Sequence, residues 1–210
     1  KNPKLKNKDE VARKIAIAAI FYGDLKNNRN LDVIFDIDKF LEFEGNTGPY
    51  LLYSYARANS IIKKTRHNGV SFLDAQETGP LKFLDIKKVK KVKKEKEKII
   101  DLKKQEINLI KKLGDLPEIV SKAEKQLMPN LIANYTYELS QDFNEFYHAC
   151  PVLGSDEEVF RLKLVESFKI VLKKSLNLLG IQEVDEMWWE RKIEEIVDIW
   201  RFIFGKYILL

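Results

Sequence analysis

Residues 43–57 read FEGNTGPYLLYSYAR and mark the place where a turn gives way to a helix. The first part of this stretch holds two glycines and a proline, which favour a turn. Pro49 suits the first turn of a helix, because the amide hydrogen that proline lacks would have no helical partner there. Thr47 or Gly48 is the expected cap, and the sequence predicts a helix over residues 50–64.

The predicted helix over residues 50–64 has two different faces. At about 100° per residue, one side gathers the positions expected to face a core, which are Leu51, Leu52, Tyr55, Ala58 and Ile62. The other side gathers Tyr50, Tyr53, Arg57 and Lys64. Unstacked RNA bases pack on aromatic rings and guanidinium groups, and phosphates pair with cations. This second face therefore suits RNA, although tyrosines that merely pack beneath a neighbouring lysine-rich helix would give the same pattern.

The rest of the chain also shows helical spacing, with few glycine and proline residues to interrupt it. Further helices are predicted over residues 9–22, 36–43, 86–113, 117–127, 129–150, 155–179 and 185–207. Ser155 with Glu158 three residues later is typical of a capping box at a helix start. The expected fold class is all-α, a bundle of about five helices that follows an N-terminal fragment.

Positive charge is concentrated in one segment. The whole chain has a net charge of +5, whereas residues 82–112 hold 13 lysines against 5 acidic residues, a local balance of +8. A basic segment on a nearly neutral body suggests contacts to phosphate. The candidate contacts are Lys90, Lys91, Lys93 and Lys94, and a solvated lysine-rich helix face is the alternative.

Several other classes of protein find little support in the sequence. The single cysteine excludes an internal disulfide and fits a reducing compartment, so the expected location is the cytoplasm. No apolar stretch reaches the roughly 20 residues of a membrane-spanning helix. His67 and His148 lack partners at ligand spacing, so no metal site is expected. Cys150 precedes a proline at a helix end and is expected to be structural rather than a nucleophile.

Three motifs resemble the class I arginyl-tRNA synthetases. The stretch over residues 43–57 resembles the family's FEGNTGPYLQYAYAR, found where the catalytic domain joins the anticodon-binding helical domain. Residues 146–153, FYHACPVL, resemble the family's FY-x-x-CPVL, and residues 161–181 resemble its final core helix. Residues 15–29 are similar to the stretch that follows the family's KMSKS loop. The resemblance covers roughly residues 8–187.

The resemblance implies specific roles for named residues. In the family, the positions that match Tyr50, Tyr53 and Arg57 line the surface that receives the anticodon loop, and the position that matches Tyr147 adds an aromatic contact. The whole enzyme joins arginine to its tRNA using ATP with Mg²⁺, and it needs bound tRNA even to activate the amino acid. The implied partner is an arginine-acceptor tRNA, together with the catalytic domain of the same enzyme.

The resemblance also divides the chain. Residues 1–44 would be the end of the catalytic domain, residues 45–187 the anticodon-binding bundle with a basic insertion over 65–113, and residues 188–210 an additional amphipathic helix. The chain starts with Lys1 rather than Met, which suggests a piece of a longer protein. The HIGH and KMSKS signatures do not occur in these 210 residues. We therefore expect no catalytic residue, no cofactor in this piece and no aminoacylation by it alone.

Two hypotheses about the function remain open from the sequence. The first is an RNA-binding module of an arginine–tRNA ligase. The second is a non-catalytic helical scaffold that binds a protein partner, through the helix expected over residues 188–210, or binds RNA without specificity. In the family the chain usually stops near the position of Met187, so the extra residues could pack on the bundle, mediate a dimer or partner contact, or reshape the RNA surface. The oligomeric state does not follow from the sequence.

Overall fold

A computed structural model describes residues 7–67 and 102–187 of the chain. These two ranges contain seven helices, which are α1 (Lys8–Leu25), α2 (Ile37–Phe40), α3 (Gly48–His67), α4 (Lys104–Gly114), α5 (Leu116–Gln126), α6 (Pro129–Ala149) and α7 (Glu158–Leu178). No strand occurs in the described ranges, and five of the helices follow residue 44. The predicted all-α bundle of about five helices is therefore confirmed.

Helix α6 is the centre of the bundle. It packs against α3 and α7 on one side and against α4 and α5 on the other, while α1 lies across α3 and also touches α6. The buried side chains of α6 recur at helical spacing and include Leu139, Phe143 and Phe146. All five apolar residues predicted for the inner face of α3 are buried. This packing fixes α3 beside α6, so that residues on the outer edges of the two helices share one surface.

The start of α3 is set by the turn that precedes it. The Tyr50 amide donates to Thr47 Oγ1 over 3.4 Å, and the Thr47 hydroxyl donates to the carbonyl of Glu42. Of the two predicted candidates, Thr47 rather than Gly48 is therefore the capping residue. Gly48 is required for a different reason, because a Cβ added there would lie 2.1 Å from the carbonyl oxygen of Ala18. This close approach brings α1 and α3 into contact.

Several predicted helix ends differ from the structure by a few residues, and two of them differ for a clear local reason. The helix that Asp36 begins stops at Phe40 rather than at residue 43, although the Asp36 side chain does accept from the Lys39 amide as a cap. The predicted capping box at Ser155 is wrong. Glu158 accepts from the Gly154 amide over 2.7 Å, and α7 starts three residues later than predicted. The glycine at 154, with φ of +73°, turns its amide toward that carboxylate.

Some sequence-based predictions fall on residues 68–101 and 188–210, which lie outside the described residues. They concern most of the basic insertion, including Lys90, Lys91, Lys93 and Lys94, and the last amphipathic helix beyond Met187. The predicted start of that helix at Asp185 is wrong, because residues 185–187 are not helical. The predicted continuous helix over residues 86–113 is wrong at residues 102 and 103, which are not helical, because α4 begins at Lys104 with Lys103 in an extended conformation before it. Among the helices of residues 7–67 and 102–187, none combines the length and the apolar character that crossing a membrane requires.

Candidate nucleic-acid interface

Tyr50, Tyr53 and Arg57 of α3 meet Asn144 and Tyr147 of α6 on one surface, which we call the tyrosine–arginine cluster. The three residues of α3 are three and four positions apart in sequence, which places them on the same face of the helix. Packing of α3 against α6 places the two sets side by side. The structure therefore brings together four of the five residues predicted for RNA binding, and it adds one that was not predicted.

Arg57 is the centre of the cluster. Its guanidinium carbon lies 4.6 Å from the ring centroid of Tyr53 and 5.4 Å from that of Tyr147. One terminal nitrogen donates to Asn144 Oδ1 over 2.6 Å, and the other donates to the Tyr53 hydroxyl over 2.8 Å. Two of its five N–H groups are used in these bonds, which leaves three for a ligand. The group is thus held in place before a ligand arrives.

Asn144 is the residue that sequence reasoning missed. Besides accepting from Arg57, it donates from Nδ2 to the Tyr50 hydroxyl over 2.7 Å and to Ser54 Oγ over 3.3 Å. Because a guanidinium group can only donate, the amide oxygen must face Arg57, and this fixes the orientation of the side chain. Its position three residues before Tyr147 on the same helix was the one available signal. A polar residue at that spacing is expected to share the face of Tyr147.

Tyr50 has a mixed role. Its ring centroid lies 5.6 Å from that of Tyr137, and partial burial raises the pKa of its hydroxyl. Tyr147 is 38% exposed, and its ring packs on Phe143, with 6.5 Å between centroids. Tyr50 therefore packs partly against Tyr137 of α6, whereas Tyr147 presents an exposed ring.

Two depressions lie on either side of Tyr53 and Arg57, which line both of them. The first depression has a volume of about 440 Å³, and its other lining residues are Phe43, Glu44, Tyr50, Asn144 and His148. The second depression, of about 480 Å³, is also lined by Ala56, Ser60, Ile61, Lys63, Lys64, Tyr147, Asp185, Glu186 and Met187. Lys64, the fifth predicted RNA-binding residue, thus joins the surface two turns along α3, at the second depression.

The surface combines features that suit single-stranded nucleic acid. The exposed ring of Tyr147 provides a stacking surface, with the half-buried Tyr53 beside it. The preoriented guanidinium group of Arg57 can pair with a phosphate or a base edge, and Lys64 is exposed nearby. Neither depression is deeply enclosed by apolar walls of the kind that hold small organic ligands. The chemistry of the surface therefore favours an extended polyanion with flat bases.

Other candidate chemistry finds no support in the described residues. No group of three or more histidine, cysteine, aspartate or glutamate residues in residues 7–67 and 102–187 could hold a metal ion. Cys150 is buried, and burial raises the pKa of its thiol, which makes it a poor nucleophile at neutral pH. The negative charge of Glu106 also raises the pKa of this thiol.

Known proteins resemble this chain over most of its length. It is 38% identical to an arginine–tRNA ligase of Clostridium botulinum (strain Alaska E43 / Type E3) over 190 residues, which are 89% of this chain and 30% of that protein. The solved arginyl-tRNA synthetase of Thermus thermophilus matches with a TM-score of 0.69 and 30% identity, over 89% of this chain and 29% of that chain. For the Plasmodium falciparum arginyl-tRNA synthetase the TM-score is 0.66 and the identity 30%, over 85% of this chain and 28% of that one.

These relatives set both the family and the extent of the match. The chain spans about 30% of the length of the curated relatives it matches. The DALR anticodon binding domain family matches residues 51–187, which is more than half of the chain and contains all but one residue of the tyrosine–arginine cluster. The chain therefore belongs to the DALR anticodon binding domain family, and the relatives named above are arginine–tRNA ligases and arginyl-tRNA synthetases.

Proposed function

We propose that this chain is the tRNA-binding part of an arginine–tRNA ligase, and that the tyrosine–arginine cluster receives the anticodon loop of an arginine-acceptor tRNA. The observation that carries the proposal is Arg57, fixed by two hydrogen bonds beside the rings of Tyr53 and Tyr147. Membership of an anticodon-binding family supports it, since it gives the aromatic and cationic surface a ligand of matching chemistry.

The roles of the residues follow from their chemistry. Tyr53 and Tyr147 offer rings on which splayed bases stack, and each such contact is worth about 1–3 kcal/mol. Arg57 contacts a base edge or a phosphate with the N–H groups that its internal bonds leave over. Lys64 adds a phosphate contact, as do Lys90, Lys91, Lys93 and Lys94 in the basic insertion, less specifically. Tyr50 completes the wall of the first depression and holds Asn144 in position.

The whole ligase, in this proposal, attaches arginine to its tRNA using ATP with Mg²⁺. The HIGH and KMSKS signatures do not occur in this sequence, so the ATP site is expected in the remaining part of the ligase. The remaining part of the ligase is the expected protein partner. The chain alone is expected to bind tRNA without charging it, in the cytoplasm.

A stacking role for Tyr147 gives the test. Tyr147→Ala should weaken binding of arginine tRNA by about 1–3 kcal/mol, while Tyr147→Phe, which keeps the ring, should bind as the parent does. Phe21→Ala is the matched control, because Phe21 is 44% exposed against 38% for Tyr147 and lines neither depression. Equal losses for all three variants, or no loss for Tyr147→Ala, would contradict the proposed interface.

A further inference from the structure

Two carboxylates stand at the edge of the second depression, beside cations and aromatic rings that suit RNA. Asp185 and Glu186 line this depression together with Tyr147 and Lys64, and both are exposed. A carboxylate repels phosphate, so a surface that only gripped the RNA backbone would gain nothing from them. Carboxylates accept hydrogen bonds, so this edge of the depression suits a ligand group that donates them.

The segment that carries these carboxylates is anchored rather than loose. Ile181 and Val184 are 1% and 2% exposed and belong to the core. Asn59 of α3, itself only 5% exposed, donates from Nδ2 to the main-chain oxygen of Asp185 over 2.9 Å and to Asp185 Oδ1 over 3.3 Å. Lys169 of α7 donates to the Asn59 amide oxygen over 2.6 Å, which fixes that side chain in turn.

Both carboxylates are oriented by internal contacts. Glu186 Oε1 pairs with Lys63 Nζ at 2.7 Å, with both side chains about half exposed. Asp185 Oδ1 accepts from Asn59 Nδ2 over 3.3 Å. An ionised carboxylate can accept about four hydrogen bonds through its two oxygens, so this contact does not prevent Asp185 from accepting from a ligand as well.

We propose that Asp185 and Glu186 determine base specificity, by accepting hydrogen bonds from the exocyclic amino group of a base stacked against Tyr147 in the second depression. Acidic side chains accept from the amino group of cytosine, and the amino groups of adenine and guanine offer the same chemistry, whereas uracil has none. Asn59 is a positioning residue, because it holds Asp185 from within the bundle. The inference rests on the proposed function, since it assigns a specificity to that same surface.

The test uses the 210-residue chain and an anticodon stem-loop of arginine tRNA. Each cytidine, adenosine or guanosine of the loop is replaced in turn by the analogue that lacks the exocyclic amino group, namely pyrimidin-2-one riboside, purine riboside or inosine. The parent chain should lose about tenfold or more in affinity at one loop position. In the double variant Asp185→Ala/Glu186→Ala this difference should shrink to less than about twofold, while binding of the unmodified loop still depends on Tyr53.

Matched variants separate recognition from structure. Glu183→Ala removes a carboxylate from the same segment that pairs with Lys173 and does not line the depression, so it should leave the tenfold discrimination intact. Glu44→Gln, at the first depression, should leave it intact as well. If the alanine double variant fails to fold, Asp185→Asn/Glu186→Gln keeps the shape of both side chains. Its discrimination at that position should still fall, because a hydrogen bond to a neutral amide oxygen is weaker than one to a charged carboxylate.

The outcomes distinguish this inference from the proposed function. If the loop binds in a Tyr53-dependent way but no analogue is discriminated through Asp185 and Glu186, base reading by these carboxylates is wrong and the RNA surface stands. A uniform gain in affinity for every RNA on removing them would also overturn it, since they would then only weaken phosphate binding. If the parent chain does not prefer the arginine stem-loop to an unrelated hairpin, both proposals fall.

Discussion

Arg57 is held by contacts that lysine could not reproduce. A guanidinium group is planar and can stack on a ring while donating to two acceptors, whereas an ammonium group is a point charge on a flexible stem. In this structure the same group meets Tyr53, Asn144 and Tyr147. Its charge alone therefore accounts for only part of its expected contribution.

Arg57→Lys should lower the affinity for arginine tRNA by about 1–2 kcal/mol, because it keeps the charge but loses the stacked, doubly bonded arrangement. Arg29→Lys, in an exposed loop, is the control and should have no effect. The measurement is equilibrium binding, with thermal unfolding of each variant alongside. A lysine variant that binds as tightly as the parent would show that charge alone matters at this position.

The cluster could be predicted from the sequence only in part. Tyr50, Tyr53 and Arg57 lie on one helix, so their common face follows from helical spacing alone. Tyr147 entered only through a resemblance, and Asn144 was not predicted, since their meeting with Arg57 depends on how α6 packs on α3. Contacts between helices distant in sequence leave no periodic signal in either one. The depressions on either side of Arg57 likewise depend on that packing.

At the scale of elements, α4 and α7 are joined by a buried ion pair. Arg161 Nε donates to Glu106 Oε1 over 2.7 Å, with side chains only 7% and 1% exposed. The Lys103 amide donates to the second oxygen of Glu106, and Arg161 also donates to the carbonyl of Pro151. The hydrogen bond from Arg161 to Glu106 raises the pKa of the guanidinium group. The pair fixes α4, where the basic insertion ends, to the body of the bundle.

Removing one partner of this pair should be costly, because the other charge would stay buried without compensation. Glu106→Ala should lower the free energy of unfolding by about 3–5 kcal/mol. Glu138→Ala is the matched control, since Glu138 pairs with Lys112 of the same helix α4 at 2.8 Å but is 56% exposed, and it should cost at most about 1 kcal/mol. Urea unfolding checks both, and equal losses would mean that burial of the Glu106 pair adds nothing.

The helices themselves were largely predictable, and their ends less so. Apolar spacing and the prolines at residues 117 and 129 gave α5 and α6 to within a few residues. The start of α7 was wrong because Glu158 bonds back to Gly154 instead of serving a cap at Ser155. Two arrangements that satisfy the same donors cannot be told apart from the order of residue types alone. The Glu106–Arg161 pair was likewise out of reach, since its partners are far apart in sequence.

At the scale of the whole molecule, Tyr22 ties the N-terminal part to the bundle. Its buried hydroxyl donates to Asn46 Oδ1 in the turn before α3, and the carbonyl oxygen of Ala133 in α6 lies 3.2 Å from the same hydroxyl. Lys26 donates to the carbonyl of Asn46 over 2.9 Å. Helix α1 thus holds the turn from which α3, the helix that carries Tyr53 and Arg57, starts.

Burial of this hydroxyl predicts a dependence of stability on alkaline pH. Burial raises the pKa of Tyr22 above the value of about 10 expected in the unfolded chain. A raised folded pKa means that the contribution to stability is complete below pH 10 and is lost as the pH rises further. Tyr22→Phe should therefore be less stable than the parent at pH 8 but lose less stability between pH 8 and pH 11. Urea unfolding measures both slopes, lysine titration being common to the two proteins, and parallel slopes would contradict the prediction.

The most direct test of the whole account is a binding titration of this chain with arginine tRNA and with a non-cognate tRNA, at two salt concentrations, for the parent and Tyr53→Ala. If the tyrosine–arginine cluster receives the anticodon loop, the parent should bind arginine tRNA more tightly than the non-cognate tRNA, and Tyr53→Ala should weaken binding of arginine tRNA by about 1–3 kcal/mol. Binding that is equal for both tRNAs, steeply dependent on salt and unaffected by Tyr53→Ala would contradict it, because lysine contacts to phosphate would then explain all of the affinity.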